Sequence, residues 1–476
     1  MLYIILAVVL LFIMVLLIRT LTFKPINHFE PLKTDEVFDG DKVTENLQKL
    51  VQCATVSYKD PSLEDEKEFE KFVALLPDLY KNVYKTCTRT TLPDRALLFK
   101  WEGKNHDTAA VMMAHYDVVP VNQNDWEKDA FSGIIEDGVM WGRGTLDTKV
   151  TFNGIMSAAD HLIAEGFVPE SDVYFAFSGG EEVNGQGAVN IVNYFEENNI
   201  KLSFVIDEGG AVVENVFPGV KSPCGLIGIA EKGMMNVLYT AKSNGGHASA
   251  PKPNSPIVRL SNACCNIEHY PTKAKLSDPV AYMFDTLGRH SNFLYKMIFS
   301  NLWLFSGVLD MLCKKSGGEL NALMRTTVAF TQSSGSSAAN VIPPEATLVS
   351  NIRINPCDTV SSTLDYLKKT VDDKDIDITI MDSMEPSRIS KVDCDEFDKV
   401  ALAVASTWKG TIISPYLMVQ CSDSRHYGRI SDKVYRFSAM DLTSEERATI
   451  HGNNERIRIE TIKKAVEFYI RLMRQC

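Results

Sequence analysis

The sequence predicts an α/β fold in which helices cover a mixed, mostly parallel sheet. From residue 41 onwards, short apolar segments typical of buried strands alternate with segments of helical periodicity. Near Glu231 the order becomes strand, helix, strand, strand, helix and strand, which is the pattern of a small α+β, ferredoxin-like domain. The run from Leu2 to Ile18 is unbroken and apolar, which predicts a transmembrane helix at the N-terminus.

The length and the charge of the chain limit its organisation and its partners. At 476 residues the chain exceeds one ordinary hydrophobic core, so two domains are expected. The net charge of -12, without a dense cluster of Lys and Arg, argues against nucleic acid as a partner. The ten cysteines form no C-x-x-C pair, which argues against a zinc site built from thiolates.

The N-terminal apolar run favours an uncleaved membrane anchor. Its length just crosses a bilayer core once the flanking residues are counted. A cleaved signal peptide is the alternative, but no basic segment precedes the run and no small-x-small cleavage site follows it. We therefore expect a single-pass N-terminal anchor. Arg19 and Lys24 favour a cytosolic main domain, but two charges leave the side of the membrane open.

The remaining elements are predicted from periodicity. In the first part of the chain, helices are predicted at 41–53, 63–79, 151–165 and 185–198, and strands at 96–100, at 109–114 and from Val173 and Phe204 onwards. In the second part, strands are predicted at 234–241, 321–331, 346–354 and 376–381, and helices at 256–267, 361–371, 397–408 and 457–474. The apolar segment 293–312 fits an acyl-chain groove, a plain core or a dimer helix equally well.

Histidines and acids recur where predicted strands or glycine turns end. His115 follows an apolar strand, and Asp117 stands two residues on, where it can orient the imidazole ring of a metal-binding histidine. The other clusters are Asp147, Glu181 with Glu182, Asp207 with Glu208, and His451. Because ligands bind at strand ends in open α/β sheets, we expect these clusters to converge on one site.

Seven motifs stand in the order found in one family of zinc enzymes. They are AHYDVVPV, GRGTLDTK, SGGEEVNGQGA, VIDEGG, GGHASAP, NVIPPEA and HGNNE. This order resembles the zinc metallopeptidases that include aminoacylase, carboxypeptidase S and succinyl-diaminopimelate desuccinylase. The segments that begin at Asn301, Arg325 and Asn340 are most similar to the N-fatty-acyl-amino-acid hydrolase/synthase and carboxypeptidase S branch. The resemblance implies a di-zinc catalytic domain with an inserted lid.

The order of the predicted elements gives domain boundaries, and the resemblance implies a ligand set. The domains would be an anchor (1–24), a linker (25–40), a catalytic domain in two parts (41–230 and 384–476) and an inserted lid or dimerisation domain (231–383). The ligands of two zinc ions would be His115, Asp147, Glu182, Asp207 and His451, with Asp147 bridging. Spacing does not separate Asp207 from Glu208, and Asp207 is the residue we predict.

Five further residues would act on the substrate or on the ligands. Glu181 would be the general base that takes a proton from a metal-activated water, and Asp117 would orient His115. His247 would reach the oxyanion, from a partner subunit or after lid closure. Arg353 and Asn340 would bind a substrate carboxylate, although a surface salt bridge is the alternative for Arg353.

The predicted activity is hydrolysis of the amide bond of N-acyl amino acids. Cleavage of small peptides, as in a carboxypeptidase or a dipeptidase, is the alternative. A non-catalytic binding protein is disfavoured because every ligand position carries a competent residue, and a serine hydrolase is disfavoured because no G-x-S-x-G motif is present. The expected partners are a small-molecule substrate, the membrane, and a second copy of the chain through the lid domain.

Overall fold

The computed structural model describes residues 1–26, 29–33, 35–217 and 219–476, so positions 27, 28 and 34 of the predicted linker lie outside the described residues. The α-helices are α1 (Leu2–Thr22), α2 (Gly40–Val51), α3 (Glu66–Leu79), α4 (Lys81–Thr86), α5 (Lys149–Ala164), α6 (Gly187–Glu197), α7 (Pro256–His269), α8 (Asp278–His290), α9 (Phe293–Ser300), α10 (Leu302–Ser316), α11 (Gly318–Met324), α12 (Val360–Val371), α13 (Asp395–Thr407), α14 (Ser444–Arg447) and α15 (Ile459–Met473). Short 3-10 helices lie at Pro61–Leu63, Gln123–Asp125, Glu181–Val183 and Asp423–Arg429.

The strands form one large sheet and smaller ones. They are β1 (Thr88–Leu92), β2 (Ala96–Trp101), β3 (Asn105–His115), β4 (Ile135–Glu136), β5 (Val139–Trp141), β6 (Ser171–Ser178), β7 (Leu202–Val213), β8 (Cys224–Glu231), β9 (Gly233–Lys242), β10 (Gly246–His247), β11 (Thr327–Ser334), β12 (Val341–Ile342), β13 (Glu345–Ile354), β14 (Ile376–Met384), β15 (Ile412–Met418), β16 (Val434–Leu442) and β17 (Arg456–Arg458). The large sheet has the order β1-β2-β6-β3-β7-β16-β8-β15.

The large sheet is mixed, as the sequence predicts. Its centre is parallel, because β3 pairs in parallel with β6 and β7, and β16 pairs in parallel with β7. Strand β3 is buried on both faces: Met112 packs into a core with α5 and α15, and Met113 into a core with α6. Burial on both faces explains why the sequence of β3 is a continuous apolar run rather than an alternating one. The parallel strands bring His115 and the 181–182 turn to the same edge.

The second sheet has the order β11-β13-β9-β14, and all its pairs are antiparallel. Helices α7 and α12 pack together against it and close a separate hydrophobic core. The chain order of these elements is the split βαβ pattern that the sequence predicts. The predicted strand at 321–331 is wrong in its first half, where α11 stands. Leu323 and Met324 pack into the main core, and an apolar segment this short does not distinguish helix from strand by its pattern.

The helices between α7 and β11 pack on the large sheet rather than on the second one. Helix α8 lies against β15, and its side chains Met283, Phe284 and Leu287 are buried in the main core. The segment 231–383 therefore contributes to two cores. The boundaries of the inserted domain stay a prediction.

Helix α1 is long and apolar enough to cross a bilayer, and it is the one such helix in the described part of the chain. A signal sequence passes the same test of length and composition. Helices α9 and α10 are together apolar enough for a span, but they meet at an angle of 115°.

Candidate active site

His115 is the last residue of β3 and is buried. Its Nδ1 lies 3.0 Å from the backbone oxygen of Asp117 and 3.4 Å from the Asp117 carboxylate. When Nδ1 of His115 donates its hydrogen to Asp117, Nε2 carries no hydrogen and faces the neighbouring acids with its lone pair. The Asp117 carboxylate is itself fixed, since it accepts hydrogen bonds from Ser57 Oγ (2.8 Å) and from the backbone N–H groups of Glu181 (3.1 Å) and Glu182 (3.2 Å).

Asp147 lies between the two histidines. Its Oδ1 is 2.9 Å from Nε2 of His115, and its Oδ2 is 3.0 Å from Nε2 of His451. Burial raises the pKa of Asp147, but hydrogen bonds from both histidines outweigh burial and hold this pKa well below its usual range. One carboxylate thus contacts two histidines that are 336 positions apart in the sequence, as a bridging ligand does.

Glu455 holds the backbone at Asp147 in place, a role that sequence reasoning missed. The buried Glu455 carboxylate accepts hydrogen bonds from the backbone N–H groups of Leu146 (2.7 Å) and Asp147 (3.2 Å). Its other oxygen lies 2.6 Å from the buried guanidinium of Arg143. The Glu that ends the HGNNE motif was the available signal, because it stands four residues after His451.

The two carboxylate oxygens of Glu182 have different surroundings. Its Oε2 lies 3.1 Å from Nε2 of His451. Its Oε1 is buried and has no hydrogen-bond partner among the described residues. A buried carboxylate oxygen without a partner is costly, so this atom is suited to a cation.

Glu208, and not Asp207, points into the cluster. Oε1 of Glu208 lies 3.4 Å from Nε2 of His115. The carboxylate of Asp207 is buried, its Oδ2 accepts a hydrogen bond from the backbone N–H of Ser424 at 2.9 Å, and among the described residues no hydrogen bond or ion pair joins it to His115. The two residues are neighbours in β7, and successive side chains of a strand point to opposite faces. The placement therefore favours the alternative that the sequence left open.

The donor set fits divalent metal ions. One ligand atom from each of His115, Asp147 and Glu182 lies within 4.8 Å of the others, and the same holds for His115, Glu181 and Glu208. Burial, followed by the repulsion of Asp147, raises the pKa of Glu208 to about 8, and burial raises the pKa of Glu181. Cations would relieve this crowding of carboxylates, and imidazole with carboxylate is a ligand combination that zinc accepts.

Two predicted substrate residues lie apart from the cluster. His247 and Asn340 are neighbours, because β10 pairs with β12 and the backbone N–H of Ala248 donates to the Asn340 oxygen at 3.0 Å. Both side chains are exposed, and His247 Nδ1 contacts Ser249 Oγ at 2.7 Å. No contact in the described part of the chain joins either residue to the carboxylates of the cluster.

Arg353 lies beside a cavity that the cluster opens into. Its Nη1 donates to Sγ of Cys421 at 3.4 Å, and Cys421 lines the cavity. No carboxylate of the described residues lies within 4.0 Å of Arg353, so the alternative of a salt bridge is wrong for the described chain. The cavity measures about 660 Å³. Its lining combines the acids and His451 with apolar side chains that include Val213, Leu226, Met418, Met440 and Leu442.

Comparison with known proteins decides the family. The sequence profile of peptidase family M20/M25/M40 matches residues 111–475 of this chain. The chain belongs to this family. The M20 match confirms the resemblance seen in the seven motifs. M20 peptidases are metal-dependent and usually use zinc, so the chain is a metal-dependent hydrolase, and the described cluster is where a metal would bind.

Two relatives and one solved structure are similar over most of the M20 chain. An N-fatty-acyl-amino acid synthase/hydrolase PM20D1 of Xenopus tropicalis is 33% identical over 472 residues, which cover 97% of this chain and 92% of that protein. A probable carboxypeptidase S-like 2 of Dictyostelium discoideum is 32% identical over 441 residues, covering 91% and 85%. The M20 family metallo-carboxypeptidase Sso-CP2 of Sulfolobus solfataricus has a TM-score of 0.67 at 17% identity and covers 91% of this chain and 98% of that one.

Proposed function

We propose that the protein is a zinc-dependent hydrolase that cleaves the amide bond of N-acyl amino acids. The observation that supports this most is the cavity beside the metal cluster, whose lining joins the acids of the cluster to apolar side chains and to Cys421, the contact of Arg353. An apolar acyl chain and a free carboxylate are the two ends of such a substrate. The printed names of the PM20D1 relatives support the same substrate class.

Hydrolysis of small peptides is the second candidate activity. The carboxypeptidase S-like relative favours it, and Arg353 would suit the C-terminal carboxylate of a peptide as well as that of an acyl amino acid. The two activities differ in what the apolar wall of the cavity must hold. The direction of the reaction, hydrolysis or synthesis, depends on substrate concentrations.

Two zinc ions would share the cluster. The proposed ligands are His115 and Glu208 for one ion, Glu182 and His451 for the other, and Asp147 for both. Glu208 replaces the Asp207 of the sequence-based prediction. When bound, the zinc ions would polarise the scissile carbonyl and lower the pKa of a water ligand.

Glu181 would move the proton. Its side chain faces the same space as His115 and Glu208, and its backbone is held by Asp117. A carboxylate in this position takes a proton from the attacking water and gives it to the leaving amine. Arg353 would bind and orient the substrate carboxylate. Asn340, which lies beside His247 and apart from the cluster, would join it after the inserted domain moves or from a second copy of the chain. His247 would stabilise the oxyanion after the inserted domain moves or from a second copy of the chain.

We also propose that α1 stays attached as a membrane anchor. Thr20, near the end of α1, is buried, and its Oγ1 lies 3.2 Å from Oγ of Ser300. The guanidinium of Arg19 donates to the backbone oxygen of Ser300 at 2.9 and 3.1 Å. These contacts join α1 to the folded domain, and cleavage after a signal sequence would remove them.

A substrate panel tests the proposed activity. The purified full chain would be assayed with long-chain N-acyl amino acids, N-acetyl amino acids and dipeptides, each with and without a chelator. We expect chelator-sensitive hydrolysis that is fastest with the N-acyl amino acids. Glu181→Gln should bind metal normally and lose about 10²- to 10⁴-fold in turnover, while the control Glu102→Gln, at an exposed site, should keep it. Preference for dipeptides, or normal turnover of Glu181→Gln, would contradict the proposal.

A further inference from the structure

Helix α10 exposes an apolar stripe. Its exposed large apolar side chains recur at a helical spacing and are Trp303, Leu304, Val308, Met311 and Leu312. The opposite face packs on the protein, where Cys313 is buried and Leu309 contacts the main core. A helix on the surface of a water-soluble domain has the reverse arrangement, with its polar face outward. The stripe therefore requires an apolar partner.

The stripe lies next to α1. Asn301, at the break between α9 and α10, is buried, and its Oδ1 accepts a hydrogen bond from Arg19 Nε at 3.1 Å. Its Nδ2 is within 3.4 Å of Thr20 Oγ1. Farther along α1, the rings of Phe12 and Trp303 meet edge to face, with their centroids 6.0 Å apart. The stripe thus begins, at Trp303, against the side of the N-terminal apolar helix.

These contacts place Trp303 relative to Arg19 along α1. Phe12 precedes Arg19 by about two helical turns, which corresponds to a distance of about 10 Å along the axis of α1. Half of a bilayer hydrocarbon core is about 15 Å thick. If Arg19 lies at the surface of the hydrocarbon core, Trp303, the ring partner of Phe12, lies within the hydrocarbon of the adjoining leaflet.

We propose that α10 is embedded in one leaflet of the bilayer beside α1, with its exposed stripe against the acyl chains of the lipids. The helix has 15 residues, about 22 Å at 1.5 Å per residue, so it is too short to cross, and the angle of 115° to α9 prevents a joint span. Lys314 and Lys315 stand at its C-terminal end, where they can meet anionic headgroups. This inference rests on the proposed anchor and not on the proposed reaction.

The position of α10 brings the bilayer close to the catalytic cavity. Gly317 alone separates α10 from α11, and Glu319 and Ala322 of α11 line that cavity. An enzyme placed in this way takes substrates whose acyl chains reside in the membrane.

Quenching of Trp303 by brominated lipids tests the inference. The full chain would be reconstituted in phosphatidylcholine vesicles with and without bromine on the acyl chains, and vesicle flotation would show that the chain is bound. Three of the other four tryptophans, Trp101, Trp126 and Trp408, are buried in the protein. We expect bromine to quench the fluorescence of the wild type, and we expect Trp303→Phe to lose that quenching. The matched control Trp408→Phe should keep it.

Each failure points to a different error. A chain that floats with the vesicles but shows no quenching that depends on Trp303 overturns the embedding of α10 and leaves the anchor intact. A chain that does not float overturns the anchor and this inference together. A photo-crosslinking amino acid at Val308 distinguishes the remaining occupant, because a covalent dimer would place a second copy on the stripe and overturn the inference, while lipid adducts support it.

Discussion

Asp117 holds the backbone of Glu181 with a hydrogen bond of 3.1 Å, although 63 residues of chain separate the two. The same buried aspartate holds the ring of His115 through its backbone oxygen at 3.0 Å. One residue therefore sets the direction of a proposed metal ligand through its backbone oxygen, and the position of the proposed base through its carboxylate. The strands β3 and β6 make this possible, because they are parallel neighbours that end at the same edge.

Asp117→Asn should weaken metal binding as well as turnover. The amide would place an N–H group against the backbone N–H of Glu181 or Glu182, so one of the two hydrogen bonds would be lost. Loss of an outer partner of a metal ligand typically costs about 10- to 100-fold in metal affinity or activity. Metal content and turnover of the purified variant measure the effect. The exposed Asp107→Asn is the control, and normal values for Asp117→Asn would contradict the role.

Glu208→Gln and Asp207→Asn should have opposite effects on metal and on stability. Glu208→Gln removes a carboxylate that faces His115, so we expect less bound zinc with little change in the melting temperature of the metal-free protein. Asp207→Asn alters a buried acceptor of the Ser424 N–H, so we expect normal zinc and a loss of about 1–3 kcal/mol in the free energy of unfolding. Zinc analysis and thermal unfolding distinguish them. The reverse result would restore Asp207 as the ligand.

The sequence predicts most of the residues of the cluster, but it does not decide between Asp207 and Glu208. His115, Asp147, Glu182 and His451 follow from ordered motifs, because strand ends and glycine turns gather at one edge of an open sheet. The choice between Asp207 and Glu208 depends on which face of β7 each side chain occupies, and this is set by the pairing of β7 with its neighbours.

Tertiary contacts also decide the parts of the fold that the sequence missed. Leu323 and Met324 form a helix because they pack into the main core, which local propensity does not reveal. The segment 277–324 looks like part of the insertion in sequence, yet α8 packs on β15. The apolar run 293–312 left three alternatives open, and its exposed stripe excludes a plain core.

Arg353→Ala should raise the KM for substrates that carry a free carboxylate. A hydrogen bond to a charged group contributes about 1.5–3 kcal/mol, which corresponds to about 10- to 100-fold in affinity. The folded protein should lose little stability, because Arg353 has no acidic partner in the described chain. Steady-state kinetics with an acyl amino acid and its carboxamide measure the effect, and only the free acid should respond. An equal change for both substrates would contradict the assignment.

His426→Gln should flatten the loss of stability in mild acid. Burial, followed by the repulsion of Arg425, lowers the pKa of His426 to about 4 from the usual 6.5, against the attraction of Glu231. Between these two values the unfolded chain binds a proton that the folded protein does not, so stability falls as the pH drops from about 6.5 to about 4. This contribution reaches about 3 kcal/mol. Denaturant unfolding at pH 7 and pH 4.5 measures it, and an unchanged difference between the two pH values in the variant would contradict the assignment.

Polar substitutions on α10 should raise the KM for long-chain substrates only. Leu304→Asn combined with Met311→Asn would reduce the contact of the stripe with lipid. Because both side chains are exposed, their replacement leaves the hydrophobic core intact. Each buried methylene of an acyl chain contributes about 0.8 kcal/mol to membrane binding, so long-chain acyl amino acids reside in the bilayer and short-chain ones in water. We expect a severalfold higher KM for a long-chain substrate presented in vesicles and unchanged kinetics for an N-acetyl amino acid. The control is Lys374→Asn on the second sheet's side of the molecule. An equal loss of activity for both substrates would mean that the variant disturbs the catalytic site itself. Wild-type activity of the variant on both substrates would mean that the stripe takes no part in the access of substrate from the bilayer.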